Sequence, residues 1–155
     1  MAHRRVSFAC PLAIDLGGIA KGFAVDRAVE ILRSNGATSG VVNAGGDLRV
    51  FGAHSRRVHL RHPGSGVVLS QSVALRRGAL ATSSPSFSRV RRRGQTVSHL
   101  VNPRTGQAIT DARSVTVHAP ECWLADALSK VVLVDPIRAA QVLARYQAEA
   151  FLLAA

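Results

Sequence analysis

The run Asp15-Leu16-Gly17-Gly18-Ile19-Ala20-Lys21-Gly22 leads straight into an amphipathic pattern of Ile19, Phe23, Val25, Ala28, Val29, Ile31 and Leu32. Glycines let backbone N–H groups come close to a ligand, and a helix amino terminus offers unpaired donors and partial positive charge to a phosphate. The stretch therefore reads either as a pyrophosphate cradle or as a loop-to-helix junction without a ligand. Its spacing fits neither the dinucleotide fingerprint nor the P-loop. Asp126 lies among Leu124, Ala125, Ala127 and Leu128 in an apolar helical stretch, where a carboxylate must be paired or bind a cation. Lys130 stands four residues on, the favourable order for an intrahelical ion pair. His99 ends a strand just before a loop containing Pro103 and Gly106, a position that by itself reads as structural or exposed.

Taken in order, Asp15 to Gly22, Val42-Asn43-Ala44-Gly45-Gly46-Asp47, Ser98-His99-Leu100-Val101-Asn102-Pro103-Arg104-Thr105-Gly106 and Leu124-Ala125-Asp126-Ala127-Leu128-Ser129 resemble the ApbE-like family. These are the FAD:protein FMN transferases, once described as thiamine-biosynthesis lipoproteins. The resemblance runs from about Asp15 to about Val134. It implies an ApbE-like, T-fold-like domain that moves FMN from FAD onto a Thr or Ser hydroxyl of a partner protein and releases AMP. By resemblance, Asp15, Gly18, Lys21, Thr82, Ser83 and His99 line the FAD site, with His99 near the scissile pyrophosphate. Asp126 and the backbone carbonyl of Ala20 would bind Mg²⁺, a hard cation that takes few protein ligands beside phosphate oxygens. Either Asp126 or His99 would help to deprotonate the incoming hydroxyl.

The chain departs from the family pattern in three places. Lys130 stands where the family has a Thr that shares the metal, and its ammonium would compete with Mg²⁺, replace its charge or abolish the site. Ser129 offers a hydroxyl one position earlier, about 100° round the helix. Ser84 replaces a usual Gly after Ala81-Thr82-Ser83, which would matter if that position needed positive φ. Finally, the amino-terminal portion of the family, which supplies more of the flavin site, has no counterpart here, so a fragment or a reduced relative is expected. A catalytically inactive flavin-binding or structural domain is the alternative reading.

The elements that must position these groups are legible from periodicity and breakers. Ile19 to Ser34 reads as a helix stopped by Asn35-Gly36. Gly40 to Asn43 and Leu48 to Phe51 read as strands across a Gly45-Gly46 turn, with Asn43 to Asp47 as turn architecture. Arg57 to Arg61 alternates, Pro63 to Gly66 is a turn, Val67 to Leu69 a strand, and Ser72 to Arg76 alternates again. Phe87 to Arg92 and Thr96 to Val101 flank a hairpin turn at Arg93-Gly94-Gln95. Arg113 to His118 is a strand, while Glu121 to Val134 and Pro136 to Tyr146 are helices. Ala148 to Leu153 is a last strand or a helix extension. Strands in antiparallel groups with helices between them give the α+β class, a mostly antiparallel sheet packed with helices. The 155 residues are taken as one domain.

Composition narrows the function classes. Hydrophobic residues make up 47% and aromatics 5%, so Val, Leu, Ile and Ala build the core. No run approaches bilayer length. Val6 to Ile14 is broken by Ser7 and Pro11 and does not resemble a signal peptide, which leaves the compartment open. Cys10 and Cys122 lack metal-ligand spacing and read as small buried apolar residues. The net charge is +11, and Arg supplies all the basic residues except Lys21 and Lys130. The arginines are scattered without interleaved aromatics, so a solvated face is expected rather than a nucleic-acid surface.

Overall fold

The computed structural model describes residues 5–64, 69–87 and 89–154. Among the described residues three α-helices, α1 (Ala20–Ser34), α2 (Cys122–Val134) and α3 (Pro136–Arg145), accompany nine strands. The strands are β1 (Gly40–Ala44), β2 (Asp47–Phe51), β3 (Arg56–Arg61), β4 (Leu69–Leu75), β5 (Gly78–Ser83), β6 (Val90–Arg92), β7 (Gln95–Val97), β8 (Ser114–Ala119) and β9 (Glu149–Leu153). One antiparallel sheet of five strands runs β1-β2-β5-β8-β9, and two hairpins, β3-β4 and β6-β7, stand beside it.

Alternation along β5 sets the layers. Ala79 and Ala81 point to one face, where Val115 and Val117 of β8 meet Val25 of α1 and Leu124, Leu128 and Val132 of α2. Leu80 points to the other face and joins Leu48, Val50 and Leu75, with Val58 and Val73 of the β3-β4 hairpin packed against them. Helices thus cover one face of the sheet and a hairpin covers part of the other. The α+β, mostly antiparallel class read from the sequence is the observed one. Among the described residues, no helix is long and apolar enough to cross a membrane.

Most expected elements form. Ala44 pairs with Asp47 across Gly45 and Gly46, whose φ values of +63° and +105° only glycine adopts freely. The second hairpin turns at Arg93 and Gly94 with Arg92 opposite Gln95. Its arms are shorter than expected: Pro85–Phe87 is a 3₁₀ turn, and Val101 makes only an isolated bridge to Ala108. The last element resolves as strand β9, paired with β8. Part of the Pro63 to Gly66 turn and of the Val67 to Leu69 strand lies outside the described residues.

Three expectations are corrected. Central strand β5 went unread, because it is buried on both faces and carries no polar alternation. Cys10 is exposed, while Cys122 is buried as expected. On α1, Val25 and Val29 enter the core, whereas Phe23, Ile31 and Leu32 stay exposed; the inward stripe is Gly22, Val25, Asp26 and Val29.

Candidate functional site

Helices α1 and α2 cross at Gly22. A Cβ there would lie 2.4 Å from the carbonyl oxygen of Cys122, so the two backbones touch. At the crossing each helix sends a carboxylate to the amino terminus of the other. Asp26 of α1 accepts hydrogen bonds from the backbone N–H of Cys122 (3.0 Å) and Trp123 (2.8 Å). It also takes Arg49 Nη1 at 2.7 Å. Asp126 of α2 accepts from the backbone N–H of Gly22 at 3.0 Å. These are the unpaired first-turn donors of each helix, met by negative charge.

Asp126 is fully buried. Its Oδ2 takes the Gly22 N–H, and its Oδ1 takes the Lys130 ammonium, which also donates to the Asp126 carbonyl at 3.0 Å. The Ser129 hydroxyl is engaged as well: it donates to the same carbonyl at 2.7 Å and contacts Ser83 Oγ at 2.7 Å. Each carboxylate oxygen of Asp126 thus accepts one hydrogen bond, and the Lys130 ammonium neutralises its charge. Among the described residues no group of three or more His, Cys, Asp or Glu is placed to hold a metal. Of the groups implied for Mg²⁺, the Asp126 carboxylate does not fit a divalent cation while the Lys130 ammonium sits on it.

A third buried carboxylate stands nearby. Asp47, at the start of β2, lies with Oδ2 3.1 Å from Lys21 Nζ, although that oxygen has no aligned hydrogen-bond donor. Burial, and then repulsion from Asp126, pushes the Asp47 carboxyl above the usual carboxylate range, against the pull of Lys21. The same environment drives the Cys122 thiol up to about 12, burial leading and Asp47 next.

The two lysines share a cleft of about 680 Å³ with Asp15, Gly17, Gly18, Gly45, Thr82, Ser83, Ser84, Phe87 and His99. The glycine turn opens α1, Thr82 and Ser83 end β5, and His99 follows β7. Asp15 is exposed and folds back to accept the Gly17 N–H at 2.6 Å. Thr82 Oγ1 meets Thr116 Oγ1 at 2.8 Å across the β5-β8 pair. His99 is exposed on the cleft wall.

The structure thus brings Asp15, Gly18, Lys21, Thr82, Ser83 and His99 to one cleft, while Ala20 and Asp126 do not line it. Thr82 and Ser83 belong to a strand end rather than a free turn. Ser84 is unstrained: outside glycine, only Arg93 and Gln147 among the described residues take positive φ. Its hydroxyl donates to the Arg113 carbonyl at 3.0 Å. Asn43 is turn architecture as expected, accepting the Gly46 N–H at 2.9 Å. Asp47 is the residue the turn reading missed; an Asp in a short strand is disfavoured without a reason, and that was the available signal. Asp26 was missed because its partners lie 96 and 97 residues away.

The sequence matches the ApbE family over residues 5–152. A "FAD:protein FMN transferase" of Rhodobacter capsulatus is 35% identical over 125 residues, covering 78% of this chain and 24% of that protein. One of Treponema pallidum is 33% identical over 137 residues, covering 79% and 38%. The crystal structure of the ApbE protein of Thermotoga maritima superposes with a TM-score of 0.80 at 32% identity, covering 90% of this chain and 48% of that one. The chain spans less than half the length of each of these relatives. With the family match extending over nearly the whole sequence and the fold agreeing, the chain belongs to the ApbE family.

Proposed function

We propose that this chain is the part of a flavin transferase that holds FAD by its pyrophosphate and presents it to a Thr or Ser hydroxyl of an acceptor protein. One observation carries the reading: the glycine turn at the start of α1, Lys21, the Thr82-Ser83 strand end and His99 converge on one cleft from separate stretches of chain. The Lys21 ammonium, beside the glycine turn on the cleft wall, meets phosphate charge. The acceptor hydroxyl oxygen attacks the phosphorus on the FMN side, the bond to the bridging oxygen breaks, and AMP leaves with that oxygen. The hydroxyl proton goes to a base. His99 is favoured for this role, because it stands exposed on the cleft wall while both Asp126 oxygens are engaged. Holding the hydroxyl in line is the protein's main contribution.

Mg²⁺ at Asp126 and the Ala20 carbonyl, the finer implication of the resemblance, would have to share Asp126 with the Lys130 ammonium. The test is incubation with FAD and a Thr-containing acceptor protein, followed by mass spectrometry. Addition of one FMN to the acceptor, with AMP released, is the expected result. FAD binding without transfer would favour the inactive flavin-binding reading, and absence of both would overturn the proposal.

A further inference from the structure

We propose that the Lys130 ammonium is the resident cation of this cleft: it stands at the Asp126 carboxylate in the place of a divalent metal, so that phosphate is held there without one. The inference rests on the FAD reading above and departs from the metal that the resemblance implies.

The geometry is specific. An ordinary i,i+4 pair lies on a solvated helix face and contributes little. Here the carboxylate is 0% exposed and the lysine side chain 28% exposed, so the ammonium is what neutralises a buried charge. An ammonium has three donors. Asp126 takes two of them, through Oδ1 and its carbonyl, and Lys130 lines the cleft, which leaves a donor to face a ligand. The Lys21–Asp47 pair repeats the device on the same cleft: a buried carboxylate holding a half-exposed ammonium. A metal at Asp126 would meet the Lys130 charge at contact distance. Ser129 adds little to its protein ligands, being tied to Ser83 and to the Asp126 carbonyl.

Manganese(II), read by electron paramagnetic resonance on the protein alone, tests the substitution independently of FAD. Wild type should leave the ion free, and Lys130→Thr, which removes the charge and adds a hydroxyl, should bind it. Binding by wild type, or by neither protein, overturns the inference. Should Lys130→Thr fail to fold, the Lys130 Cε–Nζ NMR signals of wild type decide alone: no change on adding Mg²⁺ supports the inference, and a saturable shift overturns it. In a second arm, FAD affinity of wild type should be the same in chelator and in Mg²⁺. A loss of about tenfold or more in chelator overturns it. Failure of wild type to bind FAD under either condition would sink the FAD reading, while the manganese result would still decide the role of Lys130.

Discussion

The backbone N–H of Gly22 donates to Asp126 Oδ2 at 3.0 Å, so the first turn of α1 is pinned to the middle of α2 by a buried carboxylate. The bond exists only because Gly22 lacks a Cβ, which would otherwise meet the Cys122 carbonyl at 2.4 Å. Gly22→Ala pushes the helices apart and unties Asp126. We expect a loss of about 1–3 kcal/mol from overpacking, measured as a lower urea midpoint with an unchanged slope. A midpoint equal to wild type would show that the crossing has slack.

Asp26 and Glu30 lie on the same helix and should behave differently. Asp26 is buried and holds Arg49 together with two backbone donors of α2. Asp26→Ala strands those groups and should cost about 3–5 kcal/mol. Glu30 pairs with Arg27 on the exposed face, with both side chains more than half exposed. Glu30→Ala should change stability by less than about 0.5 kcal/mol. Comparable losses in the two variants would contradict the account of the helix crossing.

Asp47 makes stability fall with rising pH. Burial, and then Asp126, raise its carboxyl above the ordinary value. The folded state therefore holds this proton more tightly than the unfolded state, and stability declines as pH climbs from the ordinary carboxylate value through the raised one. Asp47→Asn removes that titration. Between about pH 4 and pH 7, its urea midpoints should decline less steeply than those of wild type. Parallel profiles would show that Asp47 titrates normally.

The two cysteines should separate cleanly. Cys10 is exposed, whereas Cys122 is buried with its thiol pushed up to about 12. Only the thiolate alkylates. Iodoacetamide on the native protein should label Cys10 alone, with both labelled after unfolding, as read by peptide mass spectrometry. Native labelling of Cys122 would mean that the start of α2 opens readily.

Local chemistry made much of this legible. The Gly45-Gly46 turn, the Asn35-Gly36 stop and the apolar periodicity of α2 rest on interactions within a few residues, and they appear in the fold as read. Strand β5 did not announce itself, because Ala79, Leu80 and Ala81 are buried on both faces by elements far along the chain. The site divided the same way. The glycine turn, Lys21 and His99 stood out by type and spacing, and the Asp126–Lys130 pair followed from helical spacing. Asp47 and Asp26 acquire their roles only when α1, α2 and β2 meet.

The central claim is that FAD occupies the cleft shared by the glycine turn, the Thr82-Ser83 strand end and His99. Amide NMR of labelled protein titrated with FAD tests it most directly. The account expects saturable shifts at Gly17, Gly18, Lys21, Thr82, Ser83 and His99, lost or weakened about tenfold in Lys21→Ala. Shifts centred instead on the separate cleft lined by Arg33, Arg49, Gly52 and His118, or no shifts at all, would contradict it.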